Sequence, residues 1–119
     1  MACEGACLRG ELARLTANLL CDELAPEQTA RLCLGGAFTK SGGQRELAHQ
    51  AQRTIAVEGC AIDCASRMMQ GVLPDLKPEI FHIPEITSFD VRLFSINEMP
   101  ESERKLAARE AAETLRMQL

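Results

Sequence analysis

Tyrosine and tryptophan are absent from this 119-residue chain, and phenylalanine occurs only four times. Without those rings there are few platforms on which bases could stack. Cationic charge is short as well, with Lys and Arg outnumbered and a net charge of −4. A nucleic-acid binder needs a basic footprint, so that class is excluded. Long apolar runs are missing too, and none approaches the roughly 20 residues that span a bilayer. The start, Met1-Ala2-Cys3-Glu4-Gly5-Ala6-Cys7, carries an acidic residue and no apolar segment, so it does not read as a signal peptide. The expected location is the reducing cytoplasm. There, six cysteines point to metal or redox chemistry before a disulfide framework.

What is present is globular. Hydrophobic residues make up 46% of the chain and charged residues 25%, enough for one small domain over residues 1–119 with its own core. No repeat, low-complexity tract or linker interrupts it. The first helical pattern follows Gly10, with Leu12, Leu15 and Leu19 on one stripe, Leu20 and Leu24 widening it, and Pro26 ending it. Ala30 to Leu34 is a short apolar run stopped by Gly35-Gly36 and reads as a strand. A polar helix opens at Ser41 or Gly42 and runs to Gln52, with Leu47, Ala48 and Ala51 on its apolar side. Arg53 to Val57 is rich in β-branched residues and predicts a second strand. Cys60 to Gln70 reads as a short helix closed by Gly71. Glu79 to Ile83 predicts a further strand before Pro84, and Ser88 to Met99 has no clear pattern. Glu101 to Met117 is a helix with Leu106, Ala107, Glu110, Ala111 and Leu115 inward. This alternation predicts a small three-layer α/β domain. Its sheet should be mainly parallel, with roughly three or four strands in Rossmann-like order.

On that scheme the cysteines gather. Cys33 ends the first predicted strand, Cys60 lies just past the second, and Cys64 falls in the first turn of the next helix. Cys3 and Cys7 precede the first helix, where an N-terminal strand would have ended. Parallel strands all finish on one edge, so these residues should meet at the carboxyl edge, where open α/β sheets place their sites. Cys60 and Cys64 at i,i+4 would share one helix face. Two thiolates on one tetrahedral zinc sit about 3.7 Å apart, a separation that spacing can reach. The helix N-terminus would also favour thiolate there. Cys3 and Cys7 repeat the spacing.

The other candidates have ordinary uses. Cys21 lies about 180° from Leu12 on the first helix and reads as a helix-flank residue. His49 sits among polar neighbours and reads as solvated; His82, between Phe81 and Ile83, reads as structural. Glu58 and Asp63 flank the cysteine pair and read as surface caps before proton-handling groups. Arg9 and Arg67, near the cysteines in sequence, would partly offset thiolate charge. Thr39-Lys40-Ser41 follows glycines but lacks those a phosphate loop requires.

Val57-Glu58-Gly59-Cys60-Ala61-Ile62-Asp63-Cys64-Ala65 resembles the signature of the DGC-domain family, bacterial and archaeal proteins described as zinc-binding. That signature is Asp-Gly-Cys-Pro-x-x-Cys-Ala after a strand. Cys3-Glu4-Gly5 is similar to the family's Cys-Ser-Gly, and Cys33-Leu34 to its Cys-Leu. Glu58 stands where the family has Asp, Ala61 where it has Pro, and only Met1 and Ala2 precede Cys3. The resemblance implies an α/β zinc-binding domain with Cys3, Cys33, Cys60 and Cys64 as ligands, Cys7 being the stand-in for Cys3; it implies no reaction.

The resulting expectation is one zinc held by four of Cys3, Cys7, Cys33, Cys60 and Cys64. A closed thiolate site suits a structural or metal-handling role better than hydrolysis. A thiol/disulfide redox protein is the alternative, with Cys60 attacking and Cys64 or Cys33 resolving. An iron–sulfur cluster would use the same soft ligands. A bare interaction module with cysteines in its core is the plainest alternative. The sequence names no protein partner and leaves monomer and homodimer open.

Overall fold

A computed structural model describes residues 1–39 and 42–119. Lys40 and Ser41, from the phosphate-loop comparison and the predicted start of the second helix, lie outside the described residues. Helix α1 spans Leu8–Leu19 and ends in a wide π-type turn, Leu20–Leu24. Helix α2 is Leu34–Phe38 and α3 is Gly43–Gln50. Strand β1 is Ile55–Glu58, helix α4 is Cys64–Val72 and strand β2 is Glu79–His82. The short helix α5, Ile83–Ile86, a 3-10 turn at Ile96–Glu98 and helix α6, Glu101–Arg116, complete the chain.

β1 and β2 run parallel, Ile55 opposite Glu79 and Glu58 opposite His82, joined through α4. Residues 1–3 lie along the other side of β1. Ala2 bridges Val57 in parallel, the Val57 N–H donates to Met1 at 3.0 Å, and the Cys3 N–H donates to Val57 at 2.8 Å. The mixed helix and strand character is as expected, but among the described residues the sheet has two strands, not three or four, and the order is not Rossmann-like.

The predicted strand at Ala30–Leu34 does not form. Near its end, side-chain contacts replace strand pairing. Gln44 Oε1 accepts the Cys33 N–H at 2.7 Å, and the Cys33 thiol accepts the Gly36 N–H at 3.3 Å. That second bond caps α2, whose Gly35-Gly36 start had read as a strand end. Pro84 likewise opens the short helix α5 instead of merely stopping β2.

The core falls into two clusters. The larger joins Leu8, Leu12, Val57, Ile83, Ala111 and Leu115; the smaller joins Ala37, Ala48, Met69 and Leu73. Alternation along β1 sends Val57 to the first and turns Glu58 towards α4. The buried face of α1 centres on Leu8, Leu12, Ala13 and Thr16, while Leu15 is only half-buried. On α6 the buried face is Ala107, Ala108, Ala111, Ala112 and Leu115, and Leu106, predicted inward, is 69% exposed. Small alanines let α1 and α6 approach closely, so the Thr16 hydroxyl reaches the Ala108 carbonyl at 3.4 Å. Among the described residues no helix is long and apolar enough to cross a membrane.

Candidate functional site

The carboxyl ends of β1 and β2 and the residues after Cys3 form one edge. Three glycines let it close. A Cβ at Gly59 would sit 2.9 Å from the Arg9 carbonyl carbon and 3.0 Å from the Gly10 nitrogen. A Cβ at Gly10 would sit 2.5 Å from the Gly5 oxygen. The loop after Cys3, the first turn of α1 and the turn after β1 therefore touch backbone to backbone. The thiols of Cys3 and Cys7 flank Gly5, 3.5 and 4.0 Å from where its Cβ would be. Cys7 also occupies the N-cap of α1.

Cys3 is buried. Burial pushes its thiol pKa up; backbone N–H groups of Gly5 and Gly59 pull against that, while charge on Glu58 and Cys64 adds to it. Cys60 lies in the turn between β1 and α4, half-buried, and Cys64 is the exposed first residue of α4. The expected helix over Cys60–Gln70 is shorter. The helix starts at Cys64, not Cys60, so the two thiols are not stacked one helical turn apart. The break is at Asp63, whose φ of 56° and ψ of 47° are left-handed. It is the only non-glycine residue with positive φ among those described.

The two acidic residues flanking the pair have specific partners. Glu58 is fully buried. It accepts the N–H groups of Ala65 and Ser66 at 3.2 and 2.7 Å and the Ser66 hydroxyl at 2.8 Å. A carboxylate from the strand thus satisfies the open donors at the start of α4. Asp63 sits at the N-cap but makes no cap bond. Its Oδ1 lies 2.7 Å from His82 Nε2, while His82 Nδ1 is 3.5 Å from Glu85. The Asp63 hydrogen bond raises the His82 pKa against partial burial, which lowers it. Both ring nitrogens of His82 therefore lie beside carboxylates.

Cys33 is exposed at the head of α2, and no strand leads into it. Cys21 lies in the π-type turn and lines a cavity of about 640 Å³ with Met1 and Ile55, at the amino end of β1. It is away from the carboxyl edge, as its place on the helix flank suggested. Arg9 donates to the Val91 carbonyl at 2.6 Å, and Arg67 is exposed. His49 is exposed on α3. All six cysteines are free thiols. Among the described residues no three His, Cys, Asp or Glu side chains are grouped so as to hold a metal ion.

A family model for the DGC domain matches residues 1–111. The chain belongs to the DGC-domain family. No curated protein and no solved structure matches it. In this DGC domain the matched span takes in the Cys3 loop, the Cys33 cap, the Glu58–Cys64 segment and most of α6. Zinc suits the donor chemistry, because thiolates are soft ligands and four of the candidates belong to one edge. The Cys3 and Cys7 thiols both flank Gly5, and among the described residues the side chains do not form a metal cage. The sequence reading missed how deeply Glu58 is buried and how Gly5, Gly10 and Gly59 fit together. The polar position at 58 in an otherwise apolar strand was the available signal for the first.

Proposed function

We propose that this DGC domain binds one zinc ion at the carboxyl edge through four thiolates drawn from Cys3, Cys7, Cys33, Cys60 and Cys64. The observation that carries the reading is the packing of the Cys3–Cys7 loop against the Cys60 turn through Gly5, Gly10 and Gly59. That contact brings together the chain segments that carry Cys3, Cys7 and Cys60, with Cys64 following four residues on. Cys3 and Cys64 are near enough for the charge of one to act on the other. Binding would draw the exposed Cys64 and the half-buried Cys60 towards Cys3. If Cys33 joined, it would have to leave its cap on α2. The ion would supply a closed thiolate centre that ties the turn after β1 to the start of α1, a structural or metal-handling role.

The test is metal analysis of protein purified without chelator, alongside Cys60→Ser and Cys64→Ser. One zinc per chain, lost in both variants, supports the proposal. Metal-free protein that forms a reversible disulfide between Cys60 and Cys64 would replace it with the thiol redox reading.

A further inference from the structure

Two carboxylates change places around the turn after β1. Glu58, at the end of the strand, caps the helix; Asp63, at the head of the helix, reaches back to the other strand. His82 is the last residue of β2 and lies opposite Glu58 in the sheet register. The turn containing Gly59, Cys60, Ala61 and Ile62 is therefore braced at both ends against the same two strands. Asp63 stands between them with a left-handed backbone, a conformation that costs a residue with a Cβ energy, though aspartate less than most. A right-handed Asp63 would let α4 run back towards Cys60.

We propose that the Asp63–His82 contact is a clamp that holds the Cys60–Cys64 turn open, making Asp63 and His82 positioning residues for those two thiols. The contact at 2.7 Å fixes the carboxylate. The carboxylate fixes the left-handed backbone, and that backbone keeps Cys60 off the helix while Cys64 begins it. Its role towards zinc rests on the zinc reading; its role in setting the thiols does not.

The test labels metal-free protein with a thiol reagent and follows each cysteine by peptide mapping, in wild type and in Asp63→Asn, Asp63→Gly and His82→Ala. Far-UV circular dichroism checks that each variant is folded. Asparagine keeps both an acceptor and tolerance of the left-handed region, so Asp63→Asn should label like wild type. Glycine tolerates the backbone but loses the acceptor. Asp63→Gly and His82→Ala should therefore shift the labelling rates of Cys60 and Cys64 several-fold and leave Cys21 and Cys33 unchanged. A purely conformational need at position 63 would leave Asp63→Gly like wild type and would overturn the clamp. So would unchanged Cys60 and Cys64 rates in His82→Ala. Zinc affinity, measured by competition with a chromophoric chelator, should fall about tenfold in the same two variants. If wild type binds no zinc while the labelling shifts appear, the clamp stands and the zinc reading fails. If wild type binds zinc and the labelling is unmoved, the clamp alone fails.

Discussion

Replacing Glu58 with alanine should be among the most damaging single changes in the protein. The carboxylate is fully buried and is bonded to the N–H groups of Ala65 and Ser66 and the Ser66 hydroxyl. Hydrogen bonds to a charged acceptor contribute about 1.5–3 kcal/mol each, and alanine leaves three buried donors without a partner. Removing the carboxylate also removes the cost of burying it, so the net loss is less than the sum, about 3–5 kcal/mol. A domain holds only about 5–15 kcal/mol in total, so Glu58→Ala should approach global unfolding. Glutamine keeps the shape and one acceptor oxygen but turns an amide NH₂ towards other donors, for a loss of about 2 kcal/mol. The assay is urea unfolding followed by far-UV circular dichroism, since there is no tryptophan to report. Ser66→Ala closes a double-mutant cycle. Alone it should lose about 1 kcal/mol, and in the Glu58→Ala background close to nothing. A Glu58→Ala loss under about 1 kcal/mol, or full additivity with Ser66→Ala, would refute the buried-cap argument.

Other outcomes follow from the same geometry. Gly59→Ala and Gly10→Ala force a Cβ into backbone and should each lose at least about 2 kcal/mol in urea unfolding, whereas Gly71→Ala, in open space on α4, should be neutral or gain about 0.5–1 kcal/mol. Ala111→Leu should overpack the α1–α6 contact by about 1–3 kcal/mol, while Leu106→Ala stays within about 0.5 kcal/mol; equal effects would contradict the alanine face. The Arg92 side chain, helped by its backbone N–H, holds Asp90 down to about 2 from an ordinary 3.8. A depressed carboxylate favours the fold above the ordinary value and loses that contribution as pH falls towards 2. A carboxyl titration by nuclear magnetic resonance should show that midpoint, and Arg92→Ala should raise it; a wild-type midpoint at 3.8 would contradict the pairing.

The parts legible in sequence were those whose pattern and packing agree. Arg53 to Val57 and Glu79 to Ile83 overlap β1 and β2 because β-branched and aromatic residues there fit a parallel pair. The alanine-rich α6 was plain, and its inner face was only partly so. Leu106 is the larger hydrophobe, but the approach of α1 selects the smaller Ala107, Ala108, Ala111 and Ala112. Ala30 to Leu34 looked like a strand by local composition, and the deciding partners, Gln44 and Gly36, are tertiary or capping contacts that periodicity does not carry. At the site, the placing of Cys3 and Cys60 near strand ends and of Cys64 in the first turn of the next helix was readable from element order. The left-handed Asp63 was not, because asparagine, glycine and aspartate all fit such a turn and its contact with His82 is a tertiary one that local pattern does not carry.

The most direct measurement is native thiol counting before and after a chelator, with metal analysis of the same sample. The account predicts one zinc per chain. Chelation should release it and expose about four further reactive thiols, Cys21 and the one unbound candidate being reactive throughout. A zinc-free protein in which all six cysteines react at the outset would contradict it.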